Sequence, residues 1–194
     1  MVVRLLGFFI VLSLTACGTA ANTTIVSASK ELPMTTPSSG SYSLQKLGAQ
    51  SENTVTYDAY DLIDKSQSLE EKMRVLIKQN SSSHTWVIHL HGGPGSIIRP
   101  TALHFLYNKY NVVYFQQRGS GSSSGPSYCD SNNNCVNPYT MLSTMFMDLA
   151  YLIDALKETE SKTGSEAKIV LFGESWGVYY GLLYMAIEQD LDVS

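Results

Sequence analysis

The sequence predicts an α/β domain, a mostly parallel β-sheet flanked by helices. Three observations carry that expectation. Short apolar runs without polar alternation, Val87-Ile88, Val112-Val113 and Ile169-Val-Leu171, suit strands covered on both faces. Segments with helical periodicity lie between and after these runs. Tight glycine turns stand directly after two of the runs, at the strand ends where α/β sheets place their ligands.

The chain has 194 residues, room for about one domain. A hydrophobic content of 44% against 15% charged residues describes a globular protein with a substantial core. A formal charge of -4 with no basic stripe argues against nucleic acid as a partner.

Residues 1–16 read as a signal segment. Arg4 precedes the apolar run Leu5 to Leu14, and small residues follow. The run is about half the ~20 residues that a membrane-spanning helix needs. Leu14-Thr15-Ala16-Cys17 resembles the lipobox of bacterial lipoproteins, in which the cysteine is acylated and becomes the first mature residue. That resemblance implies lipidation of Cys17 and a membrane partner, each acyl CH₂ contributing about 0.8 kcal/mol. An ordinary cleaved signal is the alternative. Gly18 stands where an Asp would resemble an inner-membrane retention signal, so the expectation is a bacterial cell envelope, on the outer membrane or its periplasmic face. Residues 17–41, rich in Thr, Ser and Ala, read as a flexible tether, and 42–194 as the domain.

Within the domain, Thr54 to Tyr57 and Met73 to Lys78 read as strands, paired antiparallel. Thr85 to Leu90, rich in β-branched and aromatic residues, is the next strand. It runs into His91-Gly-Gly-Pro-Gly95, which no regular element accommodates. The spacing predicts a helix over about 98–109, a strand over 111–116 and a glycine–serine loop from Arg118 to Gly125. Cys129 and Cys135 frame a short polar loop. In an exported protein they are read as a disulfide worth roughly 2 kcal/mol, with free thiols as the alternative. From Tyr139 to Lys157, Met141, Leu142, Met145, Leu149, Leu152, Ile153 and Leu156 fall on one helical stripe, read as core. A strand from Lys168 to Phe172 and a helix from Val178 to Gln189 close the chain.

Between those last two elements stands Gly173-Glu-Ser-Trp-Gly177. Strand, sharp turn and helix with Ser175 at the apex is the context of a nucleophile elbow. The glycines give room for a cramped serine backbone. A serine hydroxyl needs a base to take its proton, and acyl transfer needs donors aimed at the developing oxyanion. One donor is the N–H after the nucleophile, that of Trp176. The Gly92-Gly93 turn suits the second, since residues without Cβ let the backbone approach substrate.

HGGPG at 91–95, Gln116-Gln-Arg-Gly-Ser-Gly121 and GESWG at 173–177 together resemble the three signature blocks of the prolyl iminopeptidase family. The resemblance spans about residues 80 to 190. It implies an α/β-hydrolase fold, a Ser-Asp-His triad and cleavage of N-terminal residues, often proline, from peptide substrates, with no cofactor and no metal. Carried over, Ser175 is the nucleophile, and Gly93 and Trp176 give the oxyanion hole. Two positions depart from the pattern. Gln116 stands where the family usually has Asp, and Glu174 where it often has Gly. Glu174 also resembles relatives that remove longer N-terminal peptides, which puts proline preference in doubt.

In this fold the triad acid and histidine follow the serine along the chain. After Ser175 come only Glu188, Asp190 and Asp192, and all four histidines, His84, His89, His91 and His104, come earlier. His91 is read as structural. His89 and His91 form an H-x-H without further visible ligands, so a metal site is not expected. The expectation is therefore the N-terminal half of a hydrolase, with cap, last strands, triad Asp and His missing: a fragment, a frameshifted product or a partial gene model. Such a chain is a serine aminopeptidase by family, inactive alone. A non-catalytic lipoprotein remnant and an esterase on the same fold are the other readings.

Overall fold

The computed structural model describes residues 42–65, 71–93, 96–124 and 138–191, with side chains given for 142–188 of the last stretch. The lipobox and Cys17, the 17–41 tether, Pro94-Gly95, and the Cys129–Cys135 pair lie outside the described residues.

Six strands form one sheet: β1 (Tyr42–Glu52), β2 (Val55–Asp64), β3 (Glu71–Lys78), β4 (Thr85–Leu90), β5 (Asn111–Phe115) and β6 (Lys168–Gly173), in the order β1-β2-β3-β5-β4-β6. The sheet is mixed. β5, β4 and β6 are parallel, whereas β1, β2, β3 and β5 pair antiparallel in succession. The parallel half coincides with the apolar runs, and β5 is buried along its whole length. Strand β1 adds an element that the sequence reading did not contain. Its side chains are half-buried or exposed throughout, so no apolar pattern marks it. Thr54 belongs to the turn rather than to the strand: Asn53 and Thr54, at φ 47° and 70°, make the two-residue connection between β1 and β2.

Helices α1 (Pro138–Ser161) and α2 (Trp176–Leu191) both pack on one face of the sheet. Met145, Leu149, Leu152, Ile153 and Leu156 of α1 are buried as the periodicity predicts, and Leu142 is partly buried. The Met141 side chain lies outside the described set. The opposite face, centred on Tyr57, Leu76, Val87, Val112 and Tyr114, is covered by the segment after β4.

That segment corrects the expected helix over 98–109. It is a series of turns with one 3₁₀ turn, His104–Leu106. Several of its backbone amides pair within successive turns, such as Ala102 to the Arg99 carbonyl (2.9 Å) and Leu106 to the Leu103 carbonyl (2.9 Å), and tyrosines take two groups that these turns leave. The Leu103 amide donates to Tyr114 Oη (3.0 Å), and Tyr57 Oη donates to the Pro100 carbonyl (3.0 Å). Tyr107 Oη joins Tyr114 Oη at 2.8 Å and also reaches the Pro100 carbonyl. Buried polar groups need partners, and phenolic hydroxyls from the sheet supply them here.

The topology also places a crevice. The chain leaving β4 crosses one face, whereas α2, leaving β6, packs on the other. These strands are neighbours, so their carboxyl ends diverge at a point where the strand order reverses, the usual ligand position in such sheets.

Candidate active site

Ser175 sits at the apex between β6 and α2 with φ 52°. A residue with a Cβ rarely occupies this left-handed region, which costs roughly 1–2 kcal/mol. The surrounding bonds hold it there. The Glu174 amide donates to the Leu90 carbonyl (3.1 Å), extending the β4–β6 ladder by one rung. The Gly177 and Val178 amides then close back on the carbonyls of Glu174 (2.9 Å) and Ser175 (3.0 Å). As the first residue of α2, Trp176 has a backbone N–H with no acceptor inside the helix. Ser175 itself is exposed.

The glycines around the serine are required by contact. A Cβ at Gly173 would lie 2.6–2.7 Å from the backbone of Gly177 and Val178, and one at Gly177 would lie 1.9 Å from the Leu90 carbonyl oxygen. Their absence lets α2 start directly against β4 and β6.

The turn after β4 meets the elbow. A Cβ at Gly92 would fall 3.2 Å from Ser175 Cβ and 3.1 Å from the Glu174 oxygen. Gly93, the next residue, has φ 62°, and its carbonyl accepts the Ser96 amide at 3.0 Å. The two bends expected from the sequence therefore lie side by side.

None of the four imidazoles hydrogen-bonds the Ser175 hydroxyl among the described residues. His84 Nδ1 pairs with Glu160 (2.5 Å) at the far end of β4, and His104 Nδ1 bonds the Thr101 carbonyl. His91 is buried. Its Nε2 accepts the Gln117 amide (3.2 Å), so the proton resides on Nδ1, which donates to the Gly92 carbonyl (3.1 Å). Burial lowers its pKa further, so this ring is a neutral strut of the turn. His89 is 1% exposed between Tyr114 and Phe172, and neither ring nitrogen has a partner. Burial pushes it down to about 4, with His91 contributing. The Glu174 carboxylate, 3.8 Å from Nε2, therefore faces a neutral ring at pH 7. No group of three His, Cys, Asp or Glu among the described residues is arranged to hold a metal.

His89 predicts an acid sensitivity with a definite sign. Its folded pKa lies below the unfolded value of 6.5, so the unfolded chain binds the proton first. This contribution is present above pH 6.5 and is lost as pH falls toward 4, amounting to about 3 kcal/mol in full. His89→Leu removes both the titration and two unpartnered nitrogens. Its stability relative to the parent, from urea unfolding, should rise by up to about 3 kcal/mol between pH 7 and pH 4. Parallel pH–stability curves would contradict the assignment.

The residues that sequence reasoning missed are Gln117 and Arg118, and with Gln116 they form a buried triplet leaving β5. Gln116 Nε2 donates to Ser96 O (2.8 Å) and Ser120 Oγ (2.6 Å), while its Oε1 accepts the Ile98 amide (2.8 Å). An Asp there could not donate to the Ser96 carbonyl. Gln117 joins the two turns, its Nε2 donating to His91 O (3.1 Å) and its Oε1 accepting the Trp176 indole N–H (3.1 Å). Arg118 is held by Asp148 through Nε (2.9 Å) and Nη2 (2.5 Å) and by Asp64 (3.0 Å), with Glu71 beside Nη1. Tyr42 Oη donates into the same cluster. The legible signals were the block Gln116-Gln-Arg-Gly-Ser-Gly121 itself and three polar residues directly after an apolar strand, at its carboxyl end.

Solved structures resemble this architecture. A protein of Agrobacterium vitis S4 assigned to the hydrolases superposes with a TM-score of 0.50 at 17% identity, over 71% of this chain and 47% of its own. Cfl2 of Burkholderia cenocepacia gives 0.50 at 15% identity, over 72% and 40%. The domain has an α/β-hydrolase fold, in part. A proline iminopeptidase-related protein of Thermus thermophilus aligns at 24% identity over 65% of this chain and 40% of its own, with a TM-score of 0.44. The chain spans less than half the length of each of these structures. No protein-family model and no curated protein matches it. At these identities the likeness shows the fold and leaves the chemistry to the site.

Proposed function

We propose that this chain carries the nucleophile-bearing half of a serine hydrolase site. Ser175 would attack a carbonyl carbon, and the backbone amides of Trp176 and Gly93 would stabilise the resulting oxyanion. The observation behind this reading is an exposed serine held at φ 52° on a strand–helix bend, against a glycine turn. Such strain is stored where the surrounding structure enforces it, commonly at reacting groups. The signature blocks at 91–95, 116–121 and 173–177 favour the N-terminal residues of peptides, proline among them, as the acyl part of the substrate. The lipobox-like segment favours a lipid anchor at Cys17 and a place on the cell envelope.

That none of the four imidazoles hydrogen-bonds the Ser175 hydroxyl among the described residues favours a second reading, a non-catalytic lipoprotein remnant. A fluorophosphonate probe separates the two. The chain alone should label negligibly, because no imidazole hydrogen-bonds the Ser175 hydroxyl among the described residues. Added imidazole, acting as a diffusible base, should bring labelling at Ser175 that Ser175→Ala abolishes. A folded sample that stays unlabelled in imidazole leaves the remnant reading, and peptidase turnover by the chain alone would overturn its expected inactivity.

A further inference from the structure

We infer that Gln117 is the positioning residue that sets the spacing between the two amides proposed for the oxyanion hole. The inference rests on the reading of Ser175 as nucleophile, and its ground is the hydrogen bonding of one buried side chain. Gln117 is 1% exposed. Its Nε2 donates to the His91 carbonyl, which belongs to the peptide unit whose N–H is that of Gly92. Holding that oxygen fixes the peptide plane and so the path into Gly93. Its Oε1 accepts the Trp176 indole N–H, which fixes the side chain of the residue whose backbone N–H is the other donor. Its own backbone amide donates to His91 Nε2 (3.2 Å).

The chemistry demands an amide. One end must donate and the other accept, at a length only glutamine provides. Glutamate accepts from Trp176 but, when ionised, presents a lone pair to the His91 carbonyl. Leucine does neither. The neighbours of Gln117 keep it in place. Gln116 ties down the segment beyond Gly93 at Ser96 and Ile98, and Arg118 bolts the triplet to Asp148 and Asp64. A displacement of an ångström or less at an oxyanion donor forfeits much of its effect, and loss of one donor typically costs about 10²–10³ in rate.

The test uses the full chain with uniform ¹⁵N labelling and compares Gln117→Leu, Gln117→Glu and Tyr114→Phe. The last removes two hydrogen bonds, to the Leu103 amide and to Tyr107 Oη, on the opposite face of the sheet and reports simple destabilisation. Gln117→Leu should move the Gly93 and Trp176 amide cross-peaks and the Trp176 indole peak, leaving the Trp86 indole in place. Tyr114→Phe should leave all of these unmoved. Gln117→Glu should move Gly93 at pH 7 and return it toward the parent position at acidic pH, where a protonated carboxyl can again donate to His91 O. Imidazole-assisted labelling of Ser175 should fall about 10²-fold in Gln117→Leu.

Unmoved Gly93 and Trp176 amides in either Gln117 variant would overturn the positioning role. So would labelling of Gln117→Leu at the parent rate. A parent that fails to label while the amides move as stated would instead remove the nucleophile reading and leave Gln117 as the link between the two turns. If Gln117→Leu does not fold, the near-isosteric Gln117→Glu carries the test.

Discussion

Gly177→Ala is expected to lower the unfolding free energy by about 3 kcal/mol, the upper part of the usual range for overpacking. The added Cβ would lie 1.9 Å from the Leu90 carbonyl oxygen, 2.6 Å from its carbon and 3.1 Å from the His91 oxygen. All three are backbone atoms at or just past the end of β4, an interior strand, so no side chain can swing aside. Helix α2 would have to lift from β4, taking Trp176 and the elbow with it. Gly181→Ala, one turn along the same helix, is the control. Its Cβ would meet only side-chain methyls, Leu90 Cδ1 at 3.2 Å and Leu171 Cδ1 at 4.0 Å, and alanine favours the helix by about 1 kcal/mol. That variant should be neutral or more stable. Urea unfolding of both measures the difference, and a Gly177→Ala midpoint equal to the parent's would show that the helix is not seated on β4 as described.

The second large effect is at Arg118. Arg118→Met should cost about 3–5 kcal/mol at pH 7, because Asp64 and Asp148 would remain buried, with Glu71 beside them, without their cation. The pH dependence identifies the cause. Complete burial already pushes Asp148 up to about 6, against the opposing pull of Arg118. Its folded pKa is above its unfolded value. The native chain therefore binds that proton more tightly, and the associated stability is present at low pH and lost as pH rises through about 6. Without the guanidinium the carboxyls take up protons more readily still. The deficit of Arg118→Met should therefore shrink between pH 7 and pH 5. Adding Asp148→Leu should recover part of the loss at pH 7, since an apolar side chain needs no counter-charge. A deficit that grows on acidification would rule out uncompensated carboxylates as its origin.

Some of this architecture was legible in the chain and some was not. Strands β4, β5 and β6 announce themselves because buried parallel strands need apolar residues on both faces, and Val87-Ile88, Val112-Val113 and Ile169-Val-Leu171 have them. Strand β1 does not, because its half-exposed side chains leave no pattern to detect. The segment from 98 to 109 has apolar residues at helical spacing, yet it closes as successive turns, with Tyr57, Tyr107 and Tyr114 holding the Pro100 carbonyl and the Leu103 amide, and no α-helix forms. Propensity is a weak prior once distant hydroxyls offer the same bonds.

The sequence by itself determined the elbow and the turn beside it. Glycine spacing, a preceding apolar run and a following helical stripe are local properties, and local properties are written in consecutive residues. Only the tertiary structure decided what Gln116, Gln117 and Arg118 do. Among their partners are Ser96, His91 and Asp148, which stand 20, 26 and 30 residues away along the chain. A buried polar side chain takes its meaning from whichever groups the fold leaves unsatisfied nearby, and no spacing rule along the chain encodes that.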